Sequence, residues 1–287
     1  MGLTNSGKDF LFNENRIDIL KVMAIKEINV KTALSVSKLP GLDYALNPYR
    51  GCSHACIYCY APSVIHWDKG KWGEVVEVKI NLPRILSKEL KVKKKGVVGL
   101  GTVTDPYQPA EKKYEITRRC LELLQLHDFP VCIQTKSSLI LQDLDLLKQF
   151  SHIEVGITLT ALDENITKKL EPGAPCAEER LRALDELSKN GIKTWVFLGP
   201  IMPYIVDLDE LVDTIATLKP AYVMVDRLRL KDGVMDKIRE FVLGFNPDLF
   251  NDYEKIFSES GDYYSGIFKD ILDKCQKKGL KCEINRL

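Results

Sequence analysis

Long apolar runs are missing from this 287-residue chain, and so is an excess of charge of either sign. A helix that crosses a bilayer needs about 20 consecutive apolar residues, and no stretch approaches that. Lysine and arginine number 41 against 40 aspartates and glutamates, so the net charge of +1 supplies no global field towards nucleic acid or an anionic membrane. The densest basic run, Lys91 to Lys95, reads as a solvated face. Met1 to Phe12 lack a basic segment followed by an apolar core, which argues against a secretory signal. The expected location is the cytoplasm, with no membrane association. Its reducing conditions favour free thiols or metal ligands over a disulfide framework for the eight cysteines, and they leave the Asn165-Ile166-Thr167 sequon a chance match. A hydrophobic share of 45% and a charged share of 28% are ordinary for a soluble globular protein with a sizeable core.

What is present is concentrated between Asn47 and Tyr60, where Cys52, Cys56 and Cys59 follow one another at spacings of 4 and 3 in a glycine-led loop. A disulfide would join only two of them. A [4Fe–4S] cube takes a cysteine at each iron corner and can share one compact loop among three corners, leaving the fourth iron open. Zinc is the competing reading, but a structural zinc site needs four protein ligands, and a second paired motif downstream is missing. His54 would complete a Cys3His set only if one short loop turned all four side chains onto one ion. The other cysteines are scattered: Cys120 and Cys132 fall in apolar segments as small core residues, Cys176 falls in a loop, and Cys275 and Cys282 make only a weak case for an auxiliary cluster.

The Cys-x3-Cys-x2-Cys spacing with Tyr58 before the last cysteine resembles the cluster motif of the radical S-adenosylmethionine (SAM) superfamily. Asn47-Pro48-Tyr49-Arg50-Gly51, Thr104-Asp105-Pro106-Tyr107-Gln108-Pro109, Thr135-Lys136-Ser137 and Glu171-Pro172-Gly173-Ala174-Pro175 resemble, in that order, the motifs of its spore photoproduct lyase-like branch. The resemblance runs from about Leu39 to Leu230.

Apolar runs at Val97–Val103, Val131–Gln134, Ile153–Leu159, Thr194–Leu198 and Ala221–Val225 are continuous, as buried parallel strands covered by helices should be. Amphipathic segments separate them at Tyr114–Leu126, Asp143–Phe150, Glu178–Asn190 and Asp209–Leu218, and Leu82–Val92 precedes them. With an extended stretch from Leu42 this gives six βα units in an α/β fold. The resemblance implies a partial, open (β/α)6 TIM-like barrel over residues 39–230. A lead-in arm over 1–38 precedes it, with Lys26–Ser37 read as an edge strand or as part of that arm. A C-terminal extension over 231–287 packs on it, with helices at Val234–Leu243 and Tyr264–Lys278 and a last strand near Lys281–Ile284.

In a βα barrel the strand C-termini carry the active site, and polar residues ending apolar strands need a partner there. The resemblance implies that Cys52, Cys56 and Cys59 bind the cluster and that SAM chelates the open iron. Tyr58, Thr104, Lys136 and Thr158 would hold the rest of SAM, with Lys136 pairing its carboxylate or ribose oxygens. Asp105, Tyr107, Gln108 and Cys176 are the substrate-side or second-sphere candidates; Glu171 and Arg180 read equally as a structural ion pair. The implied reaction is one-electron reduction of the cluster, fed by a flavodoxin- or ferredoxin-type reductant, SAM cleavage to a 5′-deoxyadenosyl radical, and hydrogen abstraction from a small-molecule, peptide or nucleic-acid substrate by a monomeric enzyme. A DNA photoproduct repair lyase and a non-catalytic iron–sulfur or zinc protein are the alternatives. Against the repair lyase, the position that resembles its hydrogen-donating cysteine, at the end of strand 2, holds Val103.

Overall fold

The computed structural model describes residues 24–230, 233–258 and 263–285; the expectation for Met1 to Phe12 lies outside them. Eleven strands occur among the described residues: β1 Ala24–Ile28, β2 Ser35–Val36, β3 Tyr44–Leu46, β4 Tyr49–Arg50, β5 Val75–Lys79, β6 Val98–Leu100, β7 Val131–Thr135, β8 Ile153–Leu159, β9 Lys193–Ile201, β10 Tyr222–Arg227 and β11 Cys282–Ile284. Eight form one sheet in the order β11-β10-β9-β8-β7-β6-β3-β2. All its pairs are parallel except β2 with β3. The six strands β3, β6, β7, β8, β9 and β10 are those expected, and the sheet stays open, as a partial barrel does. Strand β11 extends it beside β10, pairing Val223 with Cys282.

The apolar runs explain the layering. Val155, Ile157 and Leu159 on β8 and Val196 and Leu198 on β9 are fully buried, because helices Ile116–Leu126, Ala177–Lys189 and Leu208–Leu218 return each strand to its parallel neighbour and cover it. Two expected helices are broken. The Tyr114–Leu126 segment is interrupted at Glu115, whose φ of +49° is left-handed. The buried Glu111 carboxylate there accepts from the backbone N–H groups of Thr117 (2.9 Å) and Arg118 (3.0 Å), capping the helix that follows. The Asp143–Phe150 segment becomes a 3-10 turn, Ser138–Asp143, and one helical turn, Leu144–Leu147; Asp143 points inward to Tyr107 and Arg118. Helices Glu164–Leu170 and Phe250–Ser258 were not expected.

A second sheet was also unforeseen. It orders β1-β5-β4, with β1 parallel and β4 antiparallel to β5. The chain around Lys26 therefore forms an edge strand of this small sheet, and Ser35–Val36 edges the large one. The small sheet matters for the site, because β4 runs directly into Cys52 and β5 begins just after Trp72.

Candidate functional site

The cysteine loop is held by two limbs of polar contacts. On the first, the Gly51 carbonyl accepts from the Thr104 hydroxyl at 2.7 Å and from Gln108 Nε2 at 3.4 Å, while Gln108 Oε1 accepts the Ser53 backbone N–H at 3.0 Å. Asn47 joins this limb by accepting the Val103 N–H at 3.3 Å and donating to Thr102 at 3.0 Å. On the second, the Gly173 N–H donates to the His54 carbonyl at 3.0 Å and the Ile57 N–H donates to the Leu170 carbonyl at 2.9 Å. A Cβ at Gly173 would fall 2.0 Å from the Ser53 carbonyl oxygen. Glycine there is what lets the loop after β8 lie against the cysteine loop.

Cys52 and Cys56 are buried and Cys59 is half-buried, all as free thiols. Burial raises each of them. Cys52 stands well above the ordinary thiol range through burial, with Asp105 and Cys56 adding to it. Cys56 is pushed up to about 12 by burial against the opposing pull of Lys136. A metal that binds them must displace their protons. Cys52 packs with Ala61 and Trp72 in a small apolar cluster edged by Cys59, Trp67 and Val103.

The rim residues divide into three groups. Asp105 is the hub of the first: its carboxylate accepts from the Tyr107 N–H (2.9 Å), the Thr135 hydroxyl (2.7 Å) and the Lys136 N–H (2.8 Å), and it lies 3.3 Å from His54 Nδ1. Burial would raise this carboxyl, but His54 and these donors hold it at about 2. It ties the loops after β6 and β7 to the cysteine loop.

Glu171 is the hub of the second. It ion-pairs with Arg180 at 2.5 Å and accepts from Thr160 at 2.8 Å and from the Tyr58 hydroxyl. Arg180 also donates to the carbonyls of Pro175 (2.9 Å) and Thr158 (3.2 Å). Burial works against the Glu171 carboxylate, yet Arg180 and Lys136 lower it to about 2. Over this group stands Lys136, its ammonium 5.7 Å from the centre of the Tyr58 ring. Burial would lower Lys136, but Cys56 and Glu171 beside it keep its charge more firmly bound than usual.

The third group keeps to partners of its own. Tyr107 is fully buried and donates to Asp143 at 2.9 Å. Cys176 caps helix Ala177–Lys189, its sulfur 3.6 Å from Glu179 Oε2. Thr158 accepts from Gln134 Nε2 at 3.3 Å. The structure thus gathers Tyr58, Asp105 and Lys136 around the cysteines and commits Thr104 and Gln108 to the loop itself. Sequence reasoning had Gly173 within its motif, Thr160 at a strand end and Trp72 in a turn, but gave none of the three a role in the site. The Glu-Pro-Gly-Ala-Pro run signalled a special turn at Gly173; no local feature tied Thr160 or Trp72 to the cysteine loop.

The family model described as the radical SAM superfamily matches residues 46–218, the span that carries the cysteine loop, both hubs and Lys136. An uncharacterised protein of Methanocaldococcus jannaschii is 40% identical over 200 residues, covering 69% of this chain and 73% of that one. An uncharacterised protein of Mycobacterium tuberculosis is 29% identical over 263 residues, 86% of this chain and 77% of that one. A radical SAM Nalpha-GlyT isomerase of Pseudomonas phage M6 is 26% identical over 166 residues, 57% of this chain and 34% of that one. In fold, a spore photoproduct lyase complexed with dinucleoside spore photoproduct superposes with a TM-score of 0.69 at 15% identity, over 91% of this chain and 81% of that one. With a family match over residues 46–218 and 40% identity to the Methanocaldococcus jannaschii relative, the chain belongs to the radical SAM superfamily and is a radical SAM enzyme.

Proposed function

We propose that Cys52, Cys56 and Cys59 hold one [4Fe–4S] cluster, and that SAM lies over the strand ends with its polar groups against Lys136. The observation that carries this reading is the clasped loop, with three buried thiols beside a lysine ammonium. The donor set fits a cluster better than one ion. Three cysteines from one loop can take three irons of a [4Fe–4S] cube and leave the fourth open, whereas a structural zinc ion takes four protein ligands. A buried N–H at hand, on Trp72, has no partner among the described residues and suits a sulfur acceptor.

The chemistry the bound cluster would supply is one-electron reduction of SAM, whose cleavage would give methionine and a 5′-deoxyadenosyl radical able to take a hydrogen atom from substrate. The chain's own contribution is placement. Lys136 supplies a compact cation for the SAM carboxylate or ribose oxygens. Glu171 and Arg180 fix the Tyr58 ring beneath it, and the apolar packing of Val103, Ala61 and Trp72 keeps water from the thiols. The electron source proposed is a flavodoxin- or ferredoxin-type carrier.

Anaerobic reconstitution is expected to give about four irons per chain with iron–sulfur absorption, and SAM with dithionite is expected to yield 5′-deoxyadenosine. Replacement of all three cysteines by alanine should abolish both. Stoichiometric zinc in the native protein, or full iron loading of the triple variant, would overturn the reading.

The substrate is proposed to differ from a thymine photoproduct. Val103 packs beside Cys52 and Trp72, and an alkyl side chain there has no labile hydrogen to return to a product radical. The enzyme incubated with SAM, dithionite and an oligonucleotide carrying the spore photoproduct is expected to restore no thymine. Multiple-turnover repair that survives Cys176→Ala would reverse this assignment.

A further inference from the structure

Trp72 is placed with unusual firmness for a loop residue. A 3-10 turn, Lys69–Lys71, leads into it, and its N–H donates to the Lys69 carbonyl at 3.3 Å. The next residue, Gly73, has a φ of +88°, and a Cβ there would meet the Cβ of Ala55 at 2.5 Å. Ala55 is the residue between His54 and Cys56, so the turn sits directly on the cysteine loop. Immediately beyond, β5 pairs Val78 with Tyr49 and Glu77 with Arg50, and Arg50 is two residues before Cys52. The small sheet therefore grips both the approach to Cys52 and the exit from Trp72.

The Trp72 side chain is 7% exposed and packs on Cys52. It also lines a pocket with Cys56, Cys59, Lys69 and Lys237. Its indole nitrogen is buried and has no hydrogen-bond partner among the described residues. A buried donor left without an acceptor is destabilising, so an indole held this rigidly among three thiols needs an acceptor in their midst. Hydrogen bonds to cluster and thiolate sulfur stabilise the more negative, reduced state.

Resting on the cluster reading above, we propose that the Trp72 indole N–H donates to a sulfur of the bound cluster and raises its reduction potential. Trp72→Phe keeps the ring and removes the N–H. Reconstituted Trp72→Phe is expected to carry the same iron and sulfide as the native protein, to show a more negative midpoint potential in an EPR-monitored redox titration, and to lose an exchangeable-proton coupling to the reduced cluster that the native protein loses only in D2O. Trp67→Phe is the control, since Trp67 lies under Arg50, with the guanidinium 4.8 Å from its ring centre; its potential is expected to stay with the native value. Fully loaded Trp72→Phe with native potential and native proton coupling overturns the proposal, as does an equal shift in both variants, which would mark a packing effect. Failure of the native protein to bind a cluster would instead overturn the cofactor reading.

Discussion

At the residue scale, the Glu171–Arg180 pair bears the most weight for its size. Both side chains are about 1% exposed, and breaking a buried pair by removing one partner costs roughly 3–5 kcal/mol. Arg180→Met is expected to lower the unfolding free energy by about that amount in urea titrations. The pair also sets an acid limit. Glu171 is lowered from its ordinary range to about 2, so its stabilisation is full above about pH 4.5 and is lost as pH falls through about 2. Glu171→Gln should flatten the loss of stability between those values, measured by circular dichroism. Lys136 acts on the ligand rather than the fold. Lys136→Ala is expected to retain the cluster but weaken SAM binding by roughly 2–5 kcal/mol, since one charge of the pair is left unmatched; unchanged affinity in calorimetry would return Lys136 to a solvated strand end.

At the scale of elements, what the sequence disclosed was whatever repeats along it. Continuous apolar strands and amphipathic helices reveal β6 to β10 because burial on both faces leaves a mark on every residue. The cysteine spacing reveals the loop for the same local reason. The sheet β1-β5-β4 escaped, since β4 is two residues long and its partner β5 lies some 25 residues further on. The break at Glu115 escaped because its cause, the Glu111 carboxylate facing Thr117 and Arg118, is a buried polar exception inside an apolar pattern. The assignment of Thr104 and Gln108 to the loop's own carbonyl and amide likewise depends on a fold-back that no window can show. One element contact is directly testable. Gly173→Ala puts a methyl group into the Ser53 carbonyl, and it is expected to lift the Glu171–Pro175 turn off the cysteine loop, lowering both the melting temperature and the iron retained per chain.

At the scale of the whole molecule, the open sheet has an edge to guard. Strand β11 covers β10, and helix Tyr263–Lys277 packs on Leu208–Leu218, where Lys278 reaches Asp213 at 2.9 Å. A chain ending before Tyr263 would bare β10 along its length, and an exposed edge invites pairing with other chains. Such a truncation is expected to run as aggregate in size-exclusion chromatography while the full chain does not. The clasp of Leu170 and Gly173 on the cysteine loop has a consequence in time. Gly173 follows His54 by 119 residues, which at ordinary synthesis rates is on the order of ten seconds of translation. For that interval the three thiols emerge without the turn that later covers them, so oxidation is a hazard of birth for this protein, and iron is best delivered after the chain has reached helix Ala177–Lys189.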